Sequence, residues 1–370
     1  MKFTILFLLL CVILYSCNTN DTETGKHDRL IIDLDQAKRK MLFTDVVDSV
    51  HFIQLETKDE CLIGAITKLQ ITDSLIVILD SPPSQGQVLV FNRRGDFIRK
   101  IGSIGQGPTE YLLGLDFQLF DDRIEILDNS THLVIYNLDG QFIEKKKLES
   151  PAFKFAHNDR GHVMVGAGAD DMLLVFDNQL KMATSHFPFK NAKINKLTLY
   201  PLWVNNGDIF YTQAYDNMVY KMSNGVPIPY LYMDYKEKAI PYEKLSKKEF
   251  DFSQEGNYAF TKFILETDAA MMIVTVYQDQ PYVSIVDKND RKVFSYLHNF
   301  IHNDITGETD SYPVGTAPDN YFVYNVNPSS LLNSTNVETE RAEEIHELMS
   351  SITHSSNPIL MLTKFKPLKI

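Results

Sequence analysis

The chain has 370 residues, 44% of them hydrophobic and 11% aromatic, and carries a formal net charge of -12. Those apolar side chains suffice for a large core, whether in one extended all-β domain or in two ordinary ones. An acidic balance without a basic cluster is a poor partner for phosphate backbones and argues against nucleic-acid binding.

At the N-terminus, Lys2 precedes an unbroken apolar run, Phe3–Leu14. The run is too short to span a bilayer as a mature helix and gives way at once to polar residues, as in a secretory leader. It ends in Leu14-Tyr15-Ser16-Cys17, which resembles a bacterial lipobox. The expectation is a signal peptide over 1–16, acylation of Cys17, a flexible polar tether over 17–29 and a folded body over 30–370. An ordinary cleaved signal with an incidental cysteine is the alternative. Of the three cysteines, Cys11 lies in the leader and Cys17 would carry lipid, so Cys61 has no disulfide partner. No base is identifiable beside it, and it reads as a buried structural thiol.

Leu30–Leu34 and Val50–Leu55 are short, β-branched and apolar, and read as strands. A regular rhythm then begins. Ile66–Ile71 is followed by a turn at Asp73-Ser74, and Leu75–Asp80 is a continuous apolar run, as in a strand buried on both faces. Val88–Asn92 and Phe97–Ile101 flank the turn Arg94-Gly95-Asp96. The order recurs in Leu115–Phe120, Ile124–Asp128, Leu133–Asn137 and Phe142–Lys147, with Asp139-Gly140 at the matching turn. Further units run over about 152–189, 197–232 (turning at Asn206-Gly207 and Asn224-Gly225) and 260–297. A last unit contains Tyr321–Val326 and Ile359–Phe365.

A hairpin returning every 45 residues or so marks radial repetition. Six units predict an all-β, six-bladed β-propeller. The sixth lacks a full set of strands, so an N-terminal strand within Val50–Leu55 is expected to pair into it and remove two open edges. Two segments break the rhythm. Tyr235–Phe252 is charged, carries Pro241 and reads as a partly helical insertion. Val337–Ile352 reads as a helix capped by Ser334, Thr335 or Asn336, with Ile345, Leu348 and Ile352 forming an apolar stripe. That helix is either a packing lid or the rim of a binding surface.

The segments Phe52–Thr57, Val90–Phe97 and Ile101–Tyr111 together resemble the six-bladed propeller lipoproteins of Bacteroidetes, within the NHL- and TolB-like propellers. Thr109 stands where that family usually has a second glycine. The resemblance covers nearly all of the mature chain. It implies a protein of the cell envelope, lipid-anchored to the outer membrane on the surface or periplasmic side, that binds a ligand without an assigned reaction. Asp21 and Glu23 resemble the acidic residues that follow the acylated cysteine in surface-exposed members.

Gly102–Gly107 (GSIGQG) lacks the following helix and the Lys-Ser/Thr of a phosphate loop, and reads as a crossing between blades whose glycines permit positive φ, anchored by Glu110-Tyr111. His157 and His162 flank a turn but lack a visible third ligand, so no metal site is assigned. Tyr200, Trp203, Tyr211 and Tyr215 are candidate stacking residues for a sugar or peptide, and equally candidates for packing between blades. Asp116, Asn205, Asn206 and Asp268 lie near inner strands or their ends, and an axial calcium site built from them would suit a calcium-dependent hydrolase or lyase. Turn formation is the plainer role for such residues. The expected function is a non-catalytic binding module for glycan, peptide or protein, without a cofactor, and the calcium enzyme is its alternative.

Overall fold

The computed structural model describes residues 28–39, 41–81, 85–167, 171–188, 200–213, 216–241, 257–307, 312–334 and 342–367. The leader, Cys17, nearly all of the tether and Tyr215 lie outside them. The described strands form six blades, a six-bladed β-propeller. Their inner strands are Ile66–Ile71, Gly114–Leu119, Ala152–Asn158, Leu202–Asn205, Phe260–Glu266 and Pro313–Ala317.

The second strand of each blade explains the continuous apolar runs. In Leu75–Asp80, Ile76 and Ile78 pack against Val323, Leu360 and Leu362 of blade 6. Val77 and Leu79, on the opposite face, pack against Phe117, Ile124 and Ile126 of blade 2. Alternation persists, but both faces are apolar because each meets a neighbouring sheet. Burial of each such side chain contributes roughly 1.5–3 kcal/mol.

Ring closure follows the sequence expectation. Val47–Gln54 is the outer strand of blade 6 and pairs antiparallel with Ile359–Phe365, Ile53 opposite Leu360 and His51 opposite Leu362. The two ends of the chain thus complete one sheet. A strand preceding it departs from expectation. Asp28–Ile31 joins blade 4 as a fifth strand, parallel to Val226–Asp234. Ion pairs hold it there, from Arg29 to Asp234 at 2.6 Å and from Arg291 to Asp28.

The blades are also linked through the turns after their inner strands. Asn158 Nδ2 donates to the Gly207 carbonyl at 2.8 Å, and Asn206 Nδ2 to Asp268 Oδ1 at 3.0 Å. The Ala269 amide in turn donates to Asn320 Oδ1 at 2.9 Å. On the opposite face, buried carboxylates receive the chain as it enters a blade. Asp80 Oδ1 accepts from the amides of Gly64 and Ala65, and Asp128 Oδ1 from those of Leu112 and Leu113, at 2.8–3.1 Å. The last residues of LIVILD and IEILD are therefore caps for amides that would otherwise be buried unpaired.

The GSIGQG segment is a crossing from blade 1 to blade 2, anchored as expected by Glu110 and Tyr111. Glu110 Oε2 accepts from the Gly107 amide at 2.7 Å, and the Tyr111 amide donates to the Ser103 carbonyl at 3.1 Å. Only Gly102 has positive φ here, at 65°. Gly105 gives room to the Glu110 carboxylate instead, since a Cβ there would stand 2.0 Å from Glu110 Oε2 and displace it.

In the first insertion, a short 3₁₀ turn at Lys236–Lys238 is described, and residues 242–252 are not. Near the C-terminus the helix spans Ala342–Ser351 and places Ile345, Leu348 and Ile352 on the core shared by blades 5 and 6. It packs as a lid. Ser334 closes the C-terminus of the preceding helix, Pro328–Asn333, whereas Thr335 and Asn336 lie outside the described residues.

Candidate functional site

Five inner strands share an irregularity invisible in the sequence. Near its start, each shifts register by one residue against its neighbour: between Ile66 and Lys68, Gly114 and Asp116, Ala152 and Lys154, Thr261 and Phe263, and Pro313 and Gly315. A bulge re-aims the side chains beside it, so Lys68, Asp116 and Lys154 occupy equivalent positions in successive blades. Lys68 Nζ lies 2.7 Å and Lys154 Nζ 4.0 Å from Asp116 Oδ1. The same Asp116 carboxylate helps hold the Tyr200 pKa above its ordinary value, second to the effect of burial. Groups from four blades can converge on one carboxylate only at the axis.

The cluster continues around the ring. Tyr200 meets Phe263 edge-on with centroids 5.5 Å apart, and Phe263 meets Tyr312 at 5.9 Å. Lys262 Nζ stands 5.2 Å over the Tyr312 ring. The inner strands thus carry two lysines that face one aspartate, Lys68 and Lys154, and a third, Lys262, that faces the Tyr312 ring. Burial pushes the Lys68 ammonium below its ordinary pKa, and Asp116 opposes that shift.

The residues singled out from the sequence are dispersed. Tyr211 is 1% exposed and packs against Phe187 and Tyr220, so it is a core residue and offers no ring to a ligand. Trp203 stacks on Phe210 and donates from Nε1 to Glu266 Oε2 at 2.7 Å, at the junction of blades 4 and 5. Of the three described aromatics only Tyr200 joins the axial cluster. Asn206 and Asp268 bond each other at an exposed turn, while Asp116 accepts from Lys68 and from the Phe155 amide at 2.9 Å. Asn205 opens the same turn, its backbone paired with Asp208. Cys61 is fully buried, with Sγ 3.2 Å from the Glu56 carbonyl, and burial raises its thiol pKa. It is structural.

A second cluster lies between blades 2 and 3. His157 and His162 come from either side of the first turn of blade 3, and their rings stack 3.7 Å apart. Both address Glu125, which is 1% exposed: His157 Nδ1 is 3.1 Å and His162 Nε2 3.0 Å from Glu125 Oε2. Arg123 Nε donates to the other oxygen, Oε1, at 3.0 Å. Burial raises the Glu125 pKa, but the two imidazoles outweigh it and hold the carboxyl well below its usual range. Burial lowers His162, with Glu125 partly opposing. The three residues line a cleft of about 500 Å³ with Phe120, Asn158 and Asn178. No sequence signal ties Glu125 to the histidines, because the partner arrives from the neighbouring blade.

Fold and sites together define a β-propeller whose inner strands bring lysines onto one aspartate. The chain belongs to the family described as a domain of unknown function (DUF4934), whose profile matches residues 30–364. Its fold is similar to that of a candidate exported protein of Bacteroides fragilis, with a TM-score of 0.75 at 18% identity, covering 92% of this chain and all of that one. A weaker likeness, with a TM-score of 0.41 at 12% identity, is to PorZ, a surface component of the type-IX secretion system of Porphyromonas gingivalis. It covers 72% of this chain and 30% of that one. No curated protein matches the chain significantly.

Proposed function

We propose that this chain is a non-catalytic binding module of the cell envelope, acylated at Cys17 and held on the outer membrane, that engages a glycan, peptide or protein ligand at its axial mouth. The reading keeps the NHL- and TolB-like kinship and the lipoprotein leader inferred from the sequence. The observation that carries it is the axial cluster. In a chain of net charge -12, Lys68 and Lys154 gather on Asp116, and Lys262 stands over the Tyr312 ring further round the same circuit. Ammonium groups beside aromatic rings suit a ligand bearing carboxylate together with a flat or apolar face. A calcium enzyme would need several oxygen donors converging on the axis. The Asp116 charge is already met by Lys68, which favours the binder.

The test is a carbohydrate and peptide array probed with the purified protein and with Lys154→Gln/Lys262→Gln. Capture of acidic ligands by the wild type, lost in the double variant, supports the reading. Equal capture by both, or calcium-dependent cleavage of arrayed compounds, overturns it. Radiolabelled palmitate incorporation abolished by Cys17→Ser tests the anchor separately.

A further inference from the structure

The geometry points to a divalent transition-metal site of the zinc type at Glu125, His157 and His162, in the wall of the cleft between blades 2 and 3. The three donor atoms lie within 4.8 Å of one another, all on buried residues. Ligands about 2.0–2.1 Å from a tetrahedral zinc stand roughly 3.3 Å apart. The two separations from Glu125 Oε2, 3.1 and 3.0 Å, are already close to that. Two imidazoles and a carboxylate suit zinc or a neighbouring late transition metal rather than calcium.

The hydrogen-bond network supplies a second, independent argument. Asn178 Nδ2 donates to the Asp159 carbonyl at 3.1 Å, which fixes the amide so that its Oδ1 faces His157 Nε2 at 3.4 Å. An amide oxygen only accepts, so a His157 that ligates through Nδ1, the atom facing Glu125 Oε2, has its N–H placed at Nε2 by Asn178. His162 Nδ1 is also buried and makes no hydrogen bond of ordinary geometry.

Binding an ion turns one imidazole out of the present stack, because rings 3.7 Å apart and 17° from parallel share no in-plane ion position, but the outer partners are in place. Arg123 orients the carboxylate through its second oxygen, and Asn178 orients His157, as outer partners of metal ligands do. The three protein donors leave a coordination position for water or for a donor group of a ligand in the cleft. This site is separate from the axial cluster, and the two readings stand or fall independently.

The full-length protein, in detergent, should be stripped with a chelator, dialysed and exposed to zinc or cobalt(II). The expected result is one equivalent of bound zinc by elemental analysis, and visible d–d bands of four-coordinate cobalt. Glu125→Gln, His157→Ala and His162→Ala should each lose the equivalent and the bands, whereas His346→Ala on the C-terminal helix should retain both. Asn178→Ala, a positioning change, should weaken zinc about 10–100-fold without removing the site. Circular dichroism establishes that each variant is folded. Should they fail to fold, the wild-type cobalt spectrum decides alone. A wild type that takes up no stoichiometric metal, or histidine variants that bind as well as it does, would overturn the assignment.

Discussion

The axial ion pair offers the sharpest test of the energetics. At 2.7 Å, Lys68 and Asp116 attract by about 6 kcal/mol if the effective dielectric is near 20. Desolvation of each buried ion costs several kcal/mol, so the net value of the pair is small. Removing one partner is different, because it strands the other. Asp116→Asn keeps an oxygen for only one of the two amides, since Phe117 donates to Oδ1 and Phe155 to Oδ2, and it leaves Lys68 uncompensated apart from the Phe117 and Phe155 rings 5.6 and 5.9 Å away. The expected cost is about 3–5 kcal/mol. Lys68→Met should cost less, since Lys154 stands 4.0 Å from the same carboxylate. The double variant should be more stable than Asp116→Asn alone. Lys68 also gives the pH dependence a sign. Its folded-state pKa lies below the ordinary lysine value, so between the two values the unfolded chain binds more protons and stability rises with pH. The Asp116→Asn deficit should therefore shrink on going alkaline. Urea unfolding followed by circular dichroism and by the emission of Trp203, the single tryptophan, measures all of this where the two probes coincide. Strict additivity of the two substitutions would refute the coupling.

Gly86→Ala should destabilise more than Gly105→Ala, by at least about 1 kcal/mol in the same urea assay. The former has φ of 76° and a Cβ position 2.0 Å from the Gly114 carbonyl oxygen, whereas the latter meets only the movable end of Glu110. Tyr111→Phe should cost about 1 kcal/mol, since its hydroxyl serves the Val88 amide and the Ile101 carbonyl through bonds of 3.3 Å. Burial raises the Asp216 pKa above that of a free carboxyl, despite bonds from Gln213 and Tyr220. Its contribution is present at low pH and lost as pH rises through the folded value, so Asp216→Asn should raise the melting temperature at pH 7 and lose that advantage in acid. Deleting Val47–Gln54 should expose the edge of Ile359–Phe365 and yield aggregate in size-exclusion chromatography.

The parts of the fold legible in the sequence are those set by local chemistry. Asn206-Gly207 and Asn224-Gly225 adopt the paired positive φ angles of two-residue hairpins, and their dipeptides announce it. Closure by Val50–Leu55 was legible for another reason: the sixth unit was short of a strand, and a propeller cannot leave an edge open. The inner strand Pro313–Ala317 was not legible, because PVGTA is short and weakly apolar and its identity comes from packing. Gly315 in particular sits where a Cβ would stand 3.2 Å from the Leu69 carbonyl oxygen of blade 1. The strand Asp28–Ile31 reads as DRLI, and its place comes from backbone pairing with Val226–Asp234, burial of Leu30 beside Leu231 and Met233, and ion pairs to blades 4 and 5. Both candidate sites escaped the sequence reading through the same cause. Lys68 is 48 residues from Asp116, and Glu125 is 32 from His157, so each constellation depends on how one blade is set against the next.

That dependence says where specificity resides in such a ring. The backbone repeats, down to the bulge near the start of five inner strands, and a repeating backbone alone would present the same group in every blade. The equivalent positions instead hold Lys68, Asp116, Lys154, Phe263 and Gly315. Two of these residues answer neighbours: Asp116 compensates Lys68, and Gly315 lets blade 6 approach blade 1. Lys154 is not fixed in this way. Its contacts are an ion pair at 4.0 Å and a bond of 3.5 Å to the Leu115 carbonyl, both at the limit of their kind. A lysine held that loosely beside an aspartate already neutralised retains charge to offer elsewhere. Substituting Lys154 should therefore change ligand capture far more than stability, the reverse of what Asp116 should show.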